Sequence, residues 1–128
     1  MPTGRNLLIV DNQRAIAYSL GLVFEREGYE VKTANATATG LKLAETWQPD
    51  IAIAGMILDR LNGVAFARQL VSLHPKCRVI LTAAQVSSAL IEEARSLGFD
   101  FYHYPVHPKI LIERVNSLLA DAPADLSP

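Results

Sequence analysis

Cysteine appears once in the chain, at Cys77, which excludes an intramolecular disulfide and every metal motif built from several cysteines. An excess of charge of one sign is missing too. Twelve Lys and Arg stand against 13 Asp and Glu, a formal net charge of −1, so composition gives no basic patch for nucleic acid. No apolar run is long enough for a signal-peptide core or a membrane span, since LLIV at 7–10 turns at once into DNQR. The glycine-rich phosphate loops GxGxxG and GxxxxGK[ST] are absent, as is the nucleophile elbow GxSxG. The DNQRA stretch also lacks the Ser, Thr and Gly of a flavin-phosphate loop. What the chain does have is apolar bulk: half of its 128 residues are hydrophobic, enough to bury the core of one domain. A soluble, cytoplasmic single domain is expected, with no nucleic acid and no membrane among its partners.

Short apolar runs alternate five times with helical patterns. The runs are Leu7–Val10, a weaker Tyr29–Val31, Ile51–Ala54, Val79–Leu81 and Phe101–Tyr104, each rich in strand-forming types. Near-continuous apolarity in the first, third and fourth implies burial on both faces, as in a parallel sheet covered by helices. Between the runs, Ile16, Leu20, Val23 and Phe24 recur at helical spacing after the cap pair Asp11-Asn12, and Gly28 stops them. Leu41 and Ala44 outline a second helix ending before Pro49, and Val64, Ala67, Leu70 and Val71 a third ended by His74-Pro75. Ser87 or Ser88 can cap a fourth through Leu97, closed by Gly98, and Pro108 opens a fifth carrying Leu111, Val115 and Leu118 on one face. A (βα)5 alternation in one small domain predicts an α/β fold with a doubly wound parallel five-stranded sheet. The domain is expected over 1–120, with DAPADLSP at 121–128 a flexible tail or the start of a linker.

In such a fold chemistry sits just past the carboxyl ends of the strands. Those positions hold Asp11-Asn12, Gly55, Thr82-Ala83-Ala84 and Tyr104-Pro105. The order LLIVDN, then PD-apolar run-G with a second glycine eight residues on (Gly63), then VILTA, then FYHYP before a last amphipathic helix resembles the receiver domain of bacterial response regulators. The resemblance covers about residues 5 to 120 and implies the flavodoxin-like, CheY-like strand order 2-1-3-4-5. In that family an acidic pair after strand 1 and an aspartate after strand 3 bind Mg²⁺. The strand-3 aspartate becomes an acyl phosphate, a Ser or Thr after strand 4 hydrogen-bonds the phosphate, and a Lys before a Pro after strand 5 pairs with its charge. The chemistry requires each part: a carboxylate nucleophile needs a metal against the incoming charge, and a cation and hydroxyl to hold the product.

Carried over by resemblance, most of that site is dismantled. Asp11 matches the first acid, but the second is neutral Asn12, a weaker ligand for a hard cation, which argues against bound Mg²⁺. Gly55 stands at the phosphoacceptor position, so no catalytic residue remains there. Thr82 keeps the switch hydroxyl. Tyr104, 22 residues later and followed by Pro105, takes the Lys position, with the X-Pro bond expected cis. The switch aromatic is Phe101, or Tyr102 if the count starts at Gly98. Asp59, four residues past Gly55, reacts only if its loop folds back within attack distance of a phosphodonor near Asp11.

Plainer readings stand beside these. Asp11 can serve as a helix cap, Thr82 as a strand-end hydroxyl bonded to nearby backbone, and Tyr104 as a partly buried aromatic. His103 and His107 lack acidic or thiol partners and read as solvent-facing loop residues, His74 as a helix end and Cys77 as a structural thiol. Arg60, Arg68, Arg95 and Arg114 read as decoration of solvated helix faces. The expected function is a two-component receiver module that is not an enzyme, is not phosphorylated at the usual position and carries no cofactor. It would meet a protein partner or a second copy through the face of helix 4, strand 5 and helix 5. The alternatives are a small molecule or anion held at the strand ends, or phosphorylation moved to Asp59 or Asp11.

Overall fold

The computed structural model describes residues 3–58 and 62–120. Strands and helices alternate as β1 (Asn6–Val10), α1 (Arg14–Arg26), β2 (Glu30–Ala34), α2 (Thr37–Thr46), β3 (Ile51–Gly55), α3 (Gly63–Leu73), β4 (Arg78–Ala83), α4 (Ser88–Ser96), β5 (Asp100–His103) and α5 (Pro108–Ala120). All neighbouring strands pair in parallel, in the order β2-β1-β3-β4-β5. This is the doubly wound parallel sheet that the alternation predicts, in the flavodoxin-like order that the resemblance implies.

The strands' period of two divides the core into halves. Leu8, Val10, Ala52, Ala54, Val79 and Leu81 face one way, toward α2, α3 and α4, where Phe66, Leu70 and Ala94 close the layer. Leu7, Ile9, Ile51, Ile53 and Ile80 face the other way, toward α1 and α5, where Phe24, Leu111 and Val115 meet them. Side-chain size matches the covering: β3 turns alanines to the side with three helices and isoleucines to the side with two. Four of the five residues in β1 and in β3 are buried, as their unbroken apolar runs require.

Two helices stop at glycines in the left-handed region. Gly28 has φ 97° and Gly98 has φ 88°, conformations that side chains rarely adopt. In each case the next residue reaches back into the helix, Tyr29 N–H to Phe24 O at 3.1 Å and Phe99 N–H to Ala94 O at 3.0 Å, the mark of a Schellman-type end. Ser87 caps α4 by accepting from Leu90 N–H, and Asn62 caps α3 by accepting from Ala65 N–H. Only Ala94 of α4 is fully buried, with Leu90 and Ile91 partly buried against the core, and its cap adds about 1 kcal/mol.

Boundaries differ from the sequence reading in several places: β1 also takes in Asn6, β3 takes in Gly55, β4 runs Arg78–Ala83 rather than Val79–Leu81, and β5 ends at His103 rather than Tyr104. β2 runs Glu30–Ala34 rather than Tyr29–Val31; Glu30, Lys32 and Thr33 are exposed on this edge strand, so its polar half carried no apolar signal. β5 begins at Asp100, one residue before Phe101. The cap of α1 is Gln13, not Asp11 or Asn12, and it makes no side-chain cap bond. The segment 121–128 lies outside the described residues.

Candidate functional site

Strand register brings the predicted positions together. Val10 lies opposite Ala54, and Gly55 opposite Thr82, so the chain leaves β1, β3 and β4 side by side. Above these exits lies a cleft of about 290 Å³ lined by Asp11, Asn12, Gln13, Ile16, Gly55, Met56, Ile57, Thr82, Ala83, Ala84, Gln85 and Tyr104. Five predicted site residues, Asp11, Asn12, Gly55, Thr82 and Tyr104, therefore share one wall system. Among the described residues of the lining, Asp11 is the only Asp or Glu and there is no Lys, Arg or His.

Asp11 is half-buried. Its N–H donates to Ala34 O at 3.0 Å, and its Oδ1 accepts from Gln13 N–H at 2.8 Å. That is a turn ahead of the helix rather than a helix cap, which corrects the plainer reading of this residue. Burial pushes its carboxyl above the ordinary value of 3.8, and the Gln13 N–H partly offsets the rise. Its second oxygen, Oδ2, leans toward Gly55.

Gly55 itself is under no constraint to be glycine. Its φ is not positive, and a Cβ built on it would stand 3.6 Å from Leu58 Cδ2, 3.7 Å from Ile57 O and 3.8 Å from Asp11 Oδ2, all ordinary contacts. Gly63 is the opposite case. A Cβ there would fall 2.4 Å from Gly55 O and 2.8 Å from Met56 Cα, inside rigid backbone. Gly63 N–H also donates to Met56 O at 2.7 Å, clamping the start of α3 onto the end of β3.

The Thr82 residue is buried, yet among the described residues its hydroxyl has no protein partner. No sealed side-chain oxygen goes unsatisfied among those residues, so this hydroxyl opens into the cleft. The expected bond to neighbouring backbone is not made; the backbone contact is Thr82 O accepting from Met56 N–H at 2.7 Å. Tyr104 is 36% exposed, its N–H donates to Ala83 O at 2.8 Å, and the Tyr104-Pro105 bond is cis. Pro105 is exposed and outside the lining.

Neither candidate switch aromatic reaches the cleft. Phe101 is buried opposite Leu81, its ring edge-on to His103 at 4.9 Å, while Tyr102 is half-buried on the α1 and α5 side. Sequence reasoning missed Gln13, Gln85, Met56 and Ile57, all next to strand ends and so findable from adjacency alone. Asp59 and Arg60 lie outside the described residues.

The remaining singled-out residues serve structure. His74 Nε2 lies 2.7 Å from Ala44 O at the end of α3. Cys77 is buried, its thiol donates to Arg78 O, and burial raises it to about 12, an inert thiol. His103 and His107 are exposed, and His107 Nδ1 accepts from Lys109 N–H at the start of α5. Arg68 and Arg95 are exposed on their helices, as expected. Arg114 is not: its guanidinium grips both carboxylate oxygens of Asp100, tying α5 to β5. Among the described residues no group of three His, Cys, Asp or Glu converges as a metal site, and no helix is long and apolar enough to cross a membrane.

A family model described as the response regulator receiver domain matches residues 7–116. The chemotaxis protein CheY of Thermotoga maritima is 26% identical over 119 residues, covering 90% of this chain and 98% of that protein. The alkaline phosphatase synthesis transcriptional regulatory protein PhoP of Bacillus subtilis is 29% identical over 116 residues, which is 90% of this chain but 48% of PhoP. This chain thus spans about half the length of PhoP. A CheY-like receiver domain protein from Methanospirillum hungatei superposes with a TM-score of 0.87 at 27% identity, over 91% of this chain and 94% of that one.

Proposed function

The chain belongs to the response regulator receiver domain family, and from that premise we propose that it is a two-component signalling module that has given up aspartyl phosphorylation. The observation that supports this most is Gly55. Its φ is not positive and a Cβ there meets only ordinary contacts, so neither backbone strain nor a clash at Cβ accounts for glycine where the family's chemistry needs a carboxylate. Two neighbouring changes point the same way. Asn12 leaves Asp11 as the single carboxylate among the described residues of the cleft, a donor set that does not fit the family's Mg²⁺ site. Tyr104 in the Lys position leaves no cation among the described residues of the cleft to hold a phosphate's charge. With the nucleophile, a metal-binding acid and the cation gone together, the module acts by binding rather than by catalysis. A protein partner or a second copy would meet the face of α4, β5 and α5, where Leu97 and Ile110 are exposed and Arg114 braces Asp100.

The test is incubation with a small phosphodonor and Mg²⁺ followed by intact-mass measurement. No stable phosphoryl adduct is expected. An adduct that disappears in Asp11→Ala or Asp59→Ala would overturn the reading and name the residue that took over.

A second reading, a small ligand in the cleft, draws on the open Thr82 hydroxyl and the free face of Asp11. Of its two forms the anion is disfavoured, because a carboxylate with no cation beside it repels one.

A further inference from the structure

The cleft's chemistry is more specific than its vacancy at Gly55. Among the described residues its charge is a single carboxylate with no Lys, Arg or His in the lining, so an anionic guest would meet repulsion there and a neutral one would leave that charge unanswered. Around the carboxylate stand acceptors without fixed donors. Asp11 uses Oδ1 for Gln13 N–H and turns Oδ2 toward the Gly55 column, while the Thr82 hydroxyl has no protein partner among the described residues. The exposed carboxamides of Asn12, Gln13 and Gln85 rim the opening, and the ring of Tyr104 forms one side.

The two inner acceptors sit on different strands. β1 and β4 flank β3, so Asp11 and Thr82 leave the sheet two strand spacings apart, roughly 10 Å, with the bare Gly55 between them. A guest that satisfies both needs several donors spread in a plane, a positive charge, and a flat face for an aromatic ring. A guanidinium group has all three: five N–H donors in a rigid fork, a permanent charge, and a surface that stacks on a phenol.

We propose that the cleft is a binding site for an alkylguanidinium group, with Asp11 and Thr82 as its inner acceptors and Tyr104 as its stacking wall. The proposal rests on the reading that the cleft no longer performs phosphoryl transfer. Burial holds the Asp11 carboxyl above its ordinary value, and an arriving cation relieves that cost as it binds. The guanidinium can belong to a free small molecule or to an arginine side chain of a partner protein; the recognising chemistry is the same.

Titration calorimetry and amide chemical-shift mapping of the intact chain test this with four probes. Methylguanidinium is expected to bind saturably with a Kd on the order of 1 mM, shifting the amides of Gly55, Met56 and Ala84. Methylurea, the same shape without charge, and inorganic phosphate are expected not to bind. A short peptide carrying one arginine separates the sources: binding about tenfold tighter than methylguanidinium assigns a partner's side chain, and equal affinity a free cation. Asp11→Asn should weaken methylguanidinium at least about tenfold, and Thr82→Val, which keeps the side chain's shape, should weaken it less. No saturable binding, equal binding by methylurea, or binding that neither variant changes would overturn the assignment. Phosphoryl incorporation in the mass experiment would overturn the underlying reading instead, so the two failures are told apart.

Discussion

At the amino end of the sheet, Asp50 Oδ2 accepts from Asn6 N–H at 2.8 Å, Asn6 Nδ2 donates to Gln48 O at 2.9 Å, and Asp50 O accepts from Arg78 N–H at 3.1 Å. At the carboxyl end, Asp11 uses one oxygen for Gln13 N–H and turns the other toward open space, and Thr82 has no side-chain partner among the described residues. Both aspartates are half-buried at the ends of inner strands. The first ties the starts of β1, β3 and β4 to each other; the second holds a turn and leaves acceptors unused. Among the described residues no sealed side-chain oxygen lacks a partner, so the spare acceptors of Asp11 and Thr82 open into the cleft, where they cost the fold little and can meet a guest's donors. The amino end is therefore structural, and the carboxyl end is where binding is to be sought.

The two glycines at the carboxyl end test that division most severely. Gly63→Ala forces a methyl into Gly55 O and Met56 Cα, and neither backbone atom can yield without moving α3 off β3. A loss of about 3 kcal/mol or more is expected, read from the denaturation midpoint in urea. Gly55→Ala meets only ordinary contacts at an unstrained φ, and should leave stability unchanged or raise it by up to about 1 kcal/mol. If Gly55→Ala proved as damaging as Gly63→Ala, glycine at 55 would be a packing requirement and the case for discarded chemistry would lose its main support.

Next in size is the amino-end carboxylate. Asp50→Ala strands the Asn6 N–H at the start of β1, and a loss of about 1–3 kcal/mol is expected. Hydrogen exchange should locate the damage in the first residues of β1. Exchange that instead rose around the cleft would break the assignment of Asp50 as a local tie.

The fold was legible because each level of the sequence agreed with the next. LLIV, IAIA and VIL could be buried on both faces only within a covered parallel sheet, and Gly28 and Gly98 marked helix ends that the backbone makes at positive φ. The edge strand was half-missed because it lies at the rim of the sheet, where residues on both faces stay exposed, so Lys32 and Thr33 carry no apolar signal. Asp11, Gly55, Thr82 and Tyr104 could be found because parallel strands deliver their ends to one place. What could not be read was side-chain partnership. Nothing in the sequence separates an Asp11 that caps a helix from one that closes a turn, or an Arg114 on a solvated face from one gripping Asp100. Those depend on distances that only tertiary packing sets.

The smallest effect is at Asp11, and its sign is the sharpest part of the comparison. Because its carboxyl is held above the ordinary value, the folded chain binds that proton more tightly than the unfolded chain does. Ionised Asp11 is therefore a cost to folding, fully present above the raised native value and gone once pH falls below 3.8, where both states are protonated. Asp11→Asn keeps the oxygen that accepts from Gln13 N–H but cannot ionise, so near pH 7 it should be as stable as the parent or more so, by about 0.5 kcal/mol. That advantage should shrink as pH falls toward 3.8, measured as the difference in urea midpoints across the range. A carboxylate serving structure, as Asp50 does, would give the reverse: a variant less stable at neutral pH, with the deficit closing in acid. A deficit of that kind at Asp11 would move it to the structural side of the comparison, and would remove the unused charge on which guanidinium recognition depends.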